Sequence, residues 1–315
     1  MHSLHPFSRR RLLALGAGAA LTAAARAASA KELPPTDFQI GCMTYVYRDF
    51  PLQRALEGIA RSGYRYVAWG TEHQEEPGRR VPVIAKDAPA EAARRLAARC
   101  RGLGLEPVMM FSMVYPEHRD AVEVFKRRIE QAHAAGMPQV LTFGHTENGA
   151  RPVWMERFRT LAPIAQEAGV TLVIKQHGGE TGTGEACARI TRELAHPHVK
   201  VNFDAGNVMD YLDVDPIPDL RRCADEVRSF CIKDHRNFPK DQDCGPGFGE
   251  IDHYRLLAAV AHTGRKLPLC CENISAPLLP PARTPEEVDA LARRAREFLE
   301  LVTRGLHAAG PLEPQ

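Results

Sequence analysis

The chain has 315 residues, 44% hydrophobic and 25% charged, which excludes a disordered chain and a small disulfide-stapled scaffold. Lys plus Arg number 41 against 39 Asp plus Glu, but Arg9, Arg10, Arg11 and Arg26 all lie in the first thirty residues, which hold no acid. Without them the basic count is 37, below the acidic one, so the body lacks the charge excess that nucleic acid binding requires and a small molecule is the expected partner.

Residues 1–30 run from Ser8-Arg9-Arg10-Arg11-Leu12-Leu13 into an Ala/Gly/Leu stretch and close on Ala28-Ser29-Ala30, a small-residue cleavage site. The order of these features is that of a twin-arginine export signal. The apolar stretch from Leu12 to Ala25 is diluted by Gly and Ala and falls short of the roughly 18–20 apolar residues a stable membrane anchor needs. The expectation is a mature chain beginning near Lys31 that works in the periplasm or is secreted. The eight Cys show no CxxC or zinc-ribbon spacing, and Cys270 and Cys271 face opposite sides of a strand, so buried thiols are expected.

From residue 31 to the end, short β-branched or aromatic runs alternate with amphipathic Ala/Arg/Glu/Leu segments. The runs predict strands at 38–43, 66–69, 106–111, 139–143, 171–176, 200–203, 229–233 and 267–272. Helices are predicted at 52–62, 88–102, 118–135, 153–168, 184–195, 216–224, 252–263 and 284–304. Gly63, Gly104, Gly136, Gly169 and Gly264 follow five of these helices, where a left-handed terminating residue is favoured. Eight strand-helix units in one domain spanning 31–315 predict an α/β fold, a (β/α)8 TIM barrel, with function carried at the C-terminal strand ends. A doubly wound sheet is disfavoured, because no G-x-G-x-x-G follows the first strand.

Only alternate strand residues face a barrel interior, so the strand ends can be sorted by parity. The fifth strand then turns Lys175 and His177 inward and Ile174 outward. The sixth turns Asn202 and Asp204 inward, the seventh Cys231 and Lys233, and the eighth Cys270 and Glu272. Four adjacent strands thus offer two lysines, two carboxylates and a histidine to one mouth.

With Lys175-Gln176-His177, Asp204-Ala-Gly-Asn207, Ile232-Lys233-Asp234, Gly245 to Asp252 and Glu272, the chain resembles the sugar isomerase and epimerase superfamily with a xylose-isomerase-like TIM barrel, across residues 36–304. That superfamily includes ketose 3-epimerases, inosose-handling enzymes and, more distantly, endonuclease IV. The resemblance implies one divalent metal, Mn, Mg or Zn, held by Glu, Asp, His and Glu on strands 5 to 8, the two Glu serving as acid and base. Asp204 and Glu272 match this pattern. The strand 5 Glu falls on Lys175, the strand 7 His on Cys231, a substrate-binding His on Asn207 and a second-strand Glu on Ala68, so this is a divergent member.

Two arrangements follow. In one, the Lys175 ammonium takes over the charge of the ion beside Asp204 and Glu272, since a protonated lysine cannot ligate a metal. In the other, a metal is retained on Asp204, Glu272 and His177, with Cys231 favouring zinc-like ions. Either way the expected chemistry is proton abstraction alpha to the carbonyl of a sugar or keto-sugar, leading to epimerisation, isomerisation or elimination. Lys175, Glu272, Asp204 and His177 are the expected catalytic group. Lys233, Asn207, His235, Trp69 and His145 are expected substrate contacts, and Glu72, His73, Glu147, Phe248 and the Gly245–Gly249 stretch are weaker candidates on the same face. A catalytically inactive carbohydrate-binding barrel is the competing reading, because fold does not dictate function.

Overall fold

The computed structural model describes residues 33–143 and 151–310; the proposed export signal, His145 and Glu147 lie outside the described residues. Eight parallel strands close into a barrel: β1 Asp37–Met43, β2 Tyr66–Trp69, β5 Glu106–Phe111, β6 Gln139–Phe143, β7 Thr171–Lys175, β8 Val199–Phe203, β9 Val227–Ile232 and β12 Lys266–Cys271, with β12 pairing back onto β1. Three of the eight predicted strands coincide with these, and the other five differ at their ends by one or two residues. Gly63, Gly104, Gly136, Gly169 and Gly264 all adopt positive φ, the left-handed geometry that their places after helices predict.

Parity sorts the core into two layers. Met43, Ala68, Met109, Leu141, Val173, Cys231 and Cys270 fill the barrel interior. Ile174, Phe203, Phe230, Ile232 and Cys271 face outward into the larger layer beneath the helices. Each fully buried large side chain there contributes about 1.5–3 kcal/mol. All eight cysteines are buried free thiols. Helix Pro285–Ala309, which packs on helix Leu52–Arg61 and on β1, begins with a reciprocal cap between Thr284 and Glu287, worth about 1 kcal/mol.

The structure adds elements that the periodicity does not reveal. Two short antiparallel hairpins rise from the C-terminal face: β3 Glu72–Glu76 with β4 Arg79–Pro82, and β10 Asp234–Arg236 with β11 Gln242–Cys244. A further helix, Ala205–Leu212, follows β8 directly, with Asp204 as its N-cap. Gly206 in its first turn obscures that helix in the sequence, since glycine is a poor helix former. Its reason is steric: a Cβ at Gly206 would lie 2.6–3.0 Å from the carbon chain of Lys233, which runs across it into the mouth.

Candidate active site

β7, β8, β9 and β12 are neighbours in the barrel, so their C-terminal ends bring Lys175, Asp204, Lys233 and Glu272 together. Lys175 Nζ lies 2.6 Å from both Glu272 oxygens and 2.9 Å from Asp204 Oδ2. Lys233 Nζ lies 2.9 Å from Asp243 Oδ2, 3.5 Å from Glu272 Oε2 and 3.6 Å from Asp204 Oδ2. Two ammonium groups therefore share three carboxylates at the floor of a cavity of about 430 Å³, which Phe143, His177, Asn207 and Tyr211 help to wall.

Local backbone chemistry holds Asp204 in place. Its Oδ1 accepts the Asn207 amide at 3.0 Å as a helix cap, which leaves Oδ2 for the lysines. Gln176 clamps the same turn: its side-chain oxygen accepts the Asp204 amide, and its carbonyl accepts the Asn207 side-chain amide, both at 2.6 Å. Deeper in the barrel, Asn202 donates to Ser229 Oγ at 2.8 Å and accepts the Cys231 amide at 3.2 Å, a structural role.

Burial opposes the charge of Lys175, yet Asp204 and Glu272 outweigh it and hold the ammonium well above the usual lysine range. Lys233 is raised in the same way. Burial would push Glu272 up, but Lys175 and Lys233 bring it down to about 2. Asp204, fully enclosed, is pushed up by burial against the pull of both lysines. His177 falls to about 4, first through burial and then through Lys175, so it is neutral at physiological pH. Its ring stacks on Phe143 with centroids 4.3 Å apart and planes 17° apart, and Tyr211 Oη lies 3.4 Å from its Nε2.

Asp204, Cys231 and Glu272 place ligand atoms within 4.8 Å of one another, the spacing one ion needs, and His177 does not join them. The chemistry of this donor set does not fit a divalent metal. The Lys175 ammonium already binds both carboxylates, and burial, seconded by Glu272 and Asp204, keeps Cys231 as a thiol well above its usual pKa. A thiol and two lysine-paired carboxylates make a poor ligand shell.

The remaining sequence candidates separate. Lys233 and Asn207 line the cavity. His235 is fully buried behind it, with Nδ1 3.1 Å from Asp243 and Nε2 3.1 Å from Asn237, so it braces Asp243 and does not reach substrate space. Trp69 is 1% exposed in the outer core, because Ala68 takes the inward position and turns Trp69 beneath the helices. His73 is buried against the Phe50 carbonyl at 2.9 Å, and Glu72 lies in a hairpin 3.9 Å from Arg80. One face of Phe248 is covered by the Arg294 guanidinium at 3.5 Å, and Phe248 does not line the cavity. Asp234 accepts the amides of His235, Gly247 and Ile251 at 2.9–3.0 Å and so fixes the Gly245–Gly249 stretch. Sequence reasoning missed Asp243, Tyr45 and Tyr211, which line the cavity from the β11 hairpin strand, the 3-10 turn after β1 and the added helix. The one signal for Asp243 is its place opposite His235 in a hairpin whose strands are only three residues each.

A closed (β/α)8 barrel with a lysine and carboxylate cluster at its C-terminal mouth defines the class of protein. The chain belongs to the xylose isomerase-like TIM barrel family, whose model matches residues 56–299. Among solved structures it is similar to a xylose isomerase-like TIM barrel/4-hydroxyphenylpyruvate dioxygenase fusion protein, with TM-score 0.68 and 20% identity over 89% of this chain, which spans 45% of the fusion protein. It is also similar to an L-ribulose 3-epimerase, with TM-score 0.66 and 17% identity over 86% of this chain and 96% of that one. A D-allulose 3-epimerase from Methylomonas sp. gives TM-score 0.63 and 16% identity over 86% and 99%. At these identities the structures establish the shared fold alone. No curated protein matches the sequence at a significant level.

Proposed function

We propose that this protein is a sugar isomerase or epimerase-like enzyme that abstracts a proton alpha to the carbonyl of a sugar or keto-sugar. The observation that carries this reading is Lys175 Nζ within 2.6–2.9 Å of Glu272 and Asp204 at the floor of a sugar-sized cavity. In the resting site Lys175 holds Glu272 as a weak base. A substrate carbonyl that accepts a hydrogen bond from Lys175 draws the ammonium off Glu272 and restores basicity where it is needed. Glu272 then takes the alpha proton, and the developing enolate oxygen is held by Lys175. Returning a proton to the opposite face gives an epimer, returning it to the neighbouring carbon gives an isomer, and expelling a beta substituent gives elimination. The epimerases among the similar structures support the substrate class.

The test is solvent deuterium incorporation into a panel of keto-sugars, followed by mass spectrometry. Exchange by the wild-type chain and its loss in a folded Lys175→Met variant is the expected result; near-normal exchange by that variant would overturn the assignment. Lys233, within 3.6 Å of both carboxylates, keeps the variant's site from holding two unpaired charges. The engagement of both Glu272 oxygens by Lys175 at 2.6 Å also favours a second reading, a barrel that binds sugar without turning it over. Sugar binding with no exchange at any pH is its signature.

We further propose that the enzyme acts outside the cytoplasm after twin-arginine export. The consecutive arginines before an apolar stretch and the Ala28-Ser29-Ala30 site support this. Intact-mass analysis of the exported protein is expected to place its first residue at Lys31, and an N-terminus at Met1 in that fraction would refute it. Among the described residues no helix is long and apolar enough to cross a membrane.

A further inference from the structure

The catalytic cavity does not end at Glu272. Tyr45, Glu272 and Asn273 line both it and a second, larger space of about 910 Å³, so the two communicate directly over the proposed base. The outer space runs between residues 45–50, which follow β1, and residues 273–283, which follow β12. Each space on its own falls in the ~300–1,000 Å³ range of a small-ligand site. The barrel mouth therefore has room for two joined sugar units, and a free monosaccharide over Lys175 occupies only the inner space.

The walls of the outer groove mix two kinds of surface. Gln242, Asn273, Ser275 and Arg283 bring amides, a hydroxyl and a guanidinium, whereas Pro277 and Leu279 bring carbon. Asn273 stands where the two spaces join. Its Oδ1 accepts the Ser275 amide and hydroxyl, both at 2.8 Å, and among the described residues its Nδ2 has no partner. The Gln242 side chain and the Arg283 guanidinium likewise make no hydrogen bond or ion pair among the described residues, so their donors are unspent. Asp49, by contrast, is already paired with Arg80 at 2.6 Å. An all-carbon group would cover these donors without bonding them, and a compact anion would leave Pro277 and Leu279 bare. A sugar ring matches both surfaces, since its hydroxyls project from the edge and its C–H bonds form the faces.

We infer that the substrate is a disaccharide with a free carbonyl. Its reacting unit, an aldose or ketose in the open-chain form, lies over Lys175 and Glu272, and the sugar linked to it lies in the outer groove against Asn273, Gln242 and Arg283. This rests on the proton-abstraction reading above and extends it to the part of the substrate that does not react. The linked sugar leaves the carbonyl and the alpha proton in place, so the chemistry at Glu272 is unchanged and the groove acts through affinity and position. Leu279 and Arg283 line only the outer groove, so they set selectivity without touching the proton-transfer groups.

The experiment is solvent deuterium exchange by the full mature chain into glucose and fructose and into disaccharides that carry the same reacting unit. These are maltose and cellobiose for glucose, and turanose, maltulose and isomaltulose for fructose; the set is repeated on Leu279→Trp and Arg283→Ala. At least one disaccharide is expected to exchange with kcat/KM at least tenfold above its parent monosaccharide. Leu279→Trp, which fills the groove from an exposed position, is expected to erase that advantage, and Arg283→Ala to cut it at least threefold, both leaving exchange into the monosaccharide unchanged. Exchange into monosaccharides with no disaccharide advantage, or an equal loss for both in Leu279→Trp, overturns the inference and keeps the enzyme. If no sugar exchanges, the proton-abstraction reading fails, and calorimetric titration with the same sugars decides the groove separately. A disaccharide that binds at least tenfold more tightly than its parent, with the advantage lost in Leu279→Trp, upholds the two-unit site without the chemistry. Equal affinities, or no binding, overturn it.

Discussion

Two ionic clusters among the described residues differ in how fully each charge is satisfied. Between helices Leu52–Arg61 and Pro285–Ala309, Asp289 accepts Tyr47 Oη at 2.8 Å and Arg54 at 2.9 and 3.1 Å, with Arg61 at 3.5 Å, and Ser62 Oγ donates to its carbonyl. Every carboxylate oxygen there has a donor, and the bonds tie two helices together. At the barrel mouth the lysines are shared among three carboxylates and face a cavity, so a ligand can take bonds from them without breaking the fold. A closed cluster of this kind stabilises, whereas an open one is available for chemistry.

The comparison can be broken from either side. Glu272→Gln keeps the shape and a hydrogen bond to Lys175 but removes the base, and a fall in turnover of about 10³-fold per folded molecule is expected, with a lower melting temperature because the ionised carboxylate also contributes stability. Deuterium exchange rates and thermal melts check both halves. Asp289→Ala should act on stability alone, costing about 2 kcal/mol in urea unfolding, below the full penalty of a broken buried pair because Arg61 is half exposed. Its exchange rate per folded molecule should match wild type.

Finer changes sharpen the contrast. Asp243→Asn removes the charge that steadies Lys233, and about a tenfold loss in turnover is expected, roughly 1.4 kcal/mol. If Asp243 acts by positioning Lys233, the pH profile should shift as well as drop; a uniform loss of folded protein would mean a structural role. The smallest effect concerns His177, whose folded value of about 4 lies below the ordinary 6.5. Between those values the unfolded chain binds more protons, so stability rises with pH through this window and is lost as pH falls from 6.5 towards 4. His177→Gln should flatten that slope in urea titrations. Further acidification, from 4.5 towards 2, removes the stability that ionised Glu272 contributes, and this second loss should persist in the variant.

Much of this was legible in the sequence for a local reason. Each strand-helix unit declares itself through its own periodicity, and strand parity alone places Lys175, Asp204, Lys233 and Glu272 at one mouth. Parity also speaks against Trp69 as a contact, because an inward Ala68 turns its neighbour outward. Asp243 was illegible because its place depends on a three-residue hairpin strand, too short for any period. The Ala205–Leu212 helix was hidden by Gly206, a residue chosen for the passage of Lys233 and not for helix formation.

Lys233 and Asp234 are consecutive, so one enters the mouth while the other gathers three backbone amides on the opposite side. Through Asp234 the amide protons of Gly247 and Ile251 become internal clocks for the active-site end of β9. A ligand that steadies Lys233 should slow their exchange with solvent at a distance from any atom it touches, giving a label-free signal of occupancy.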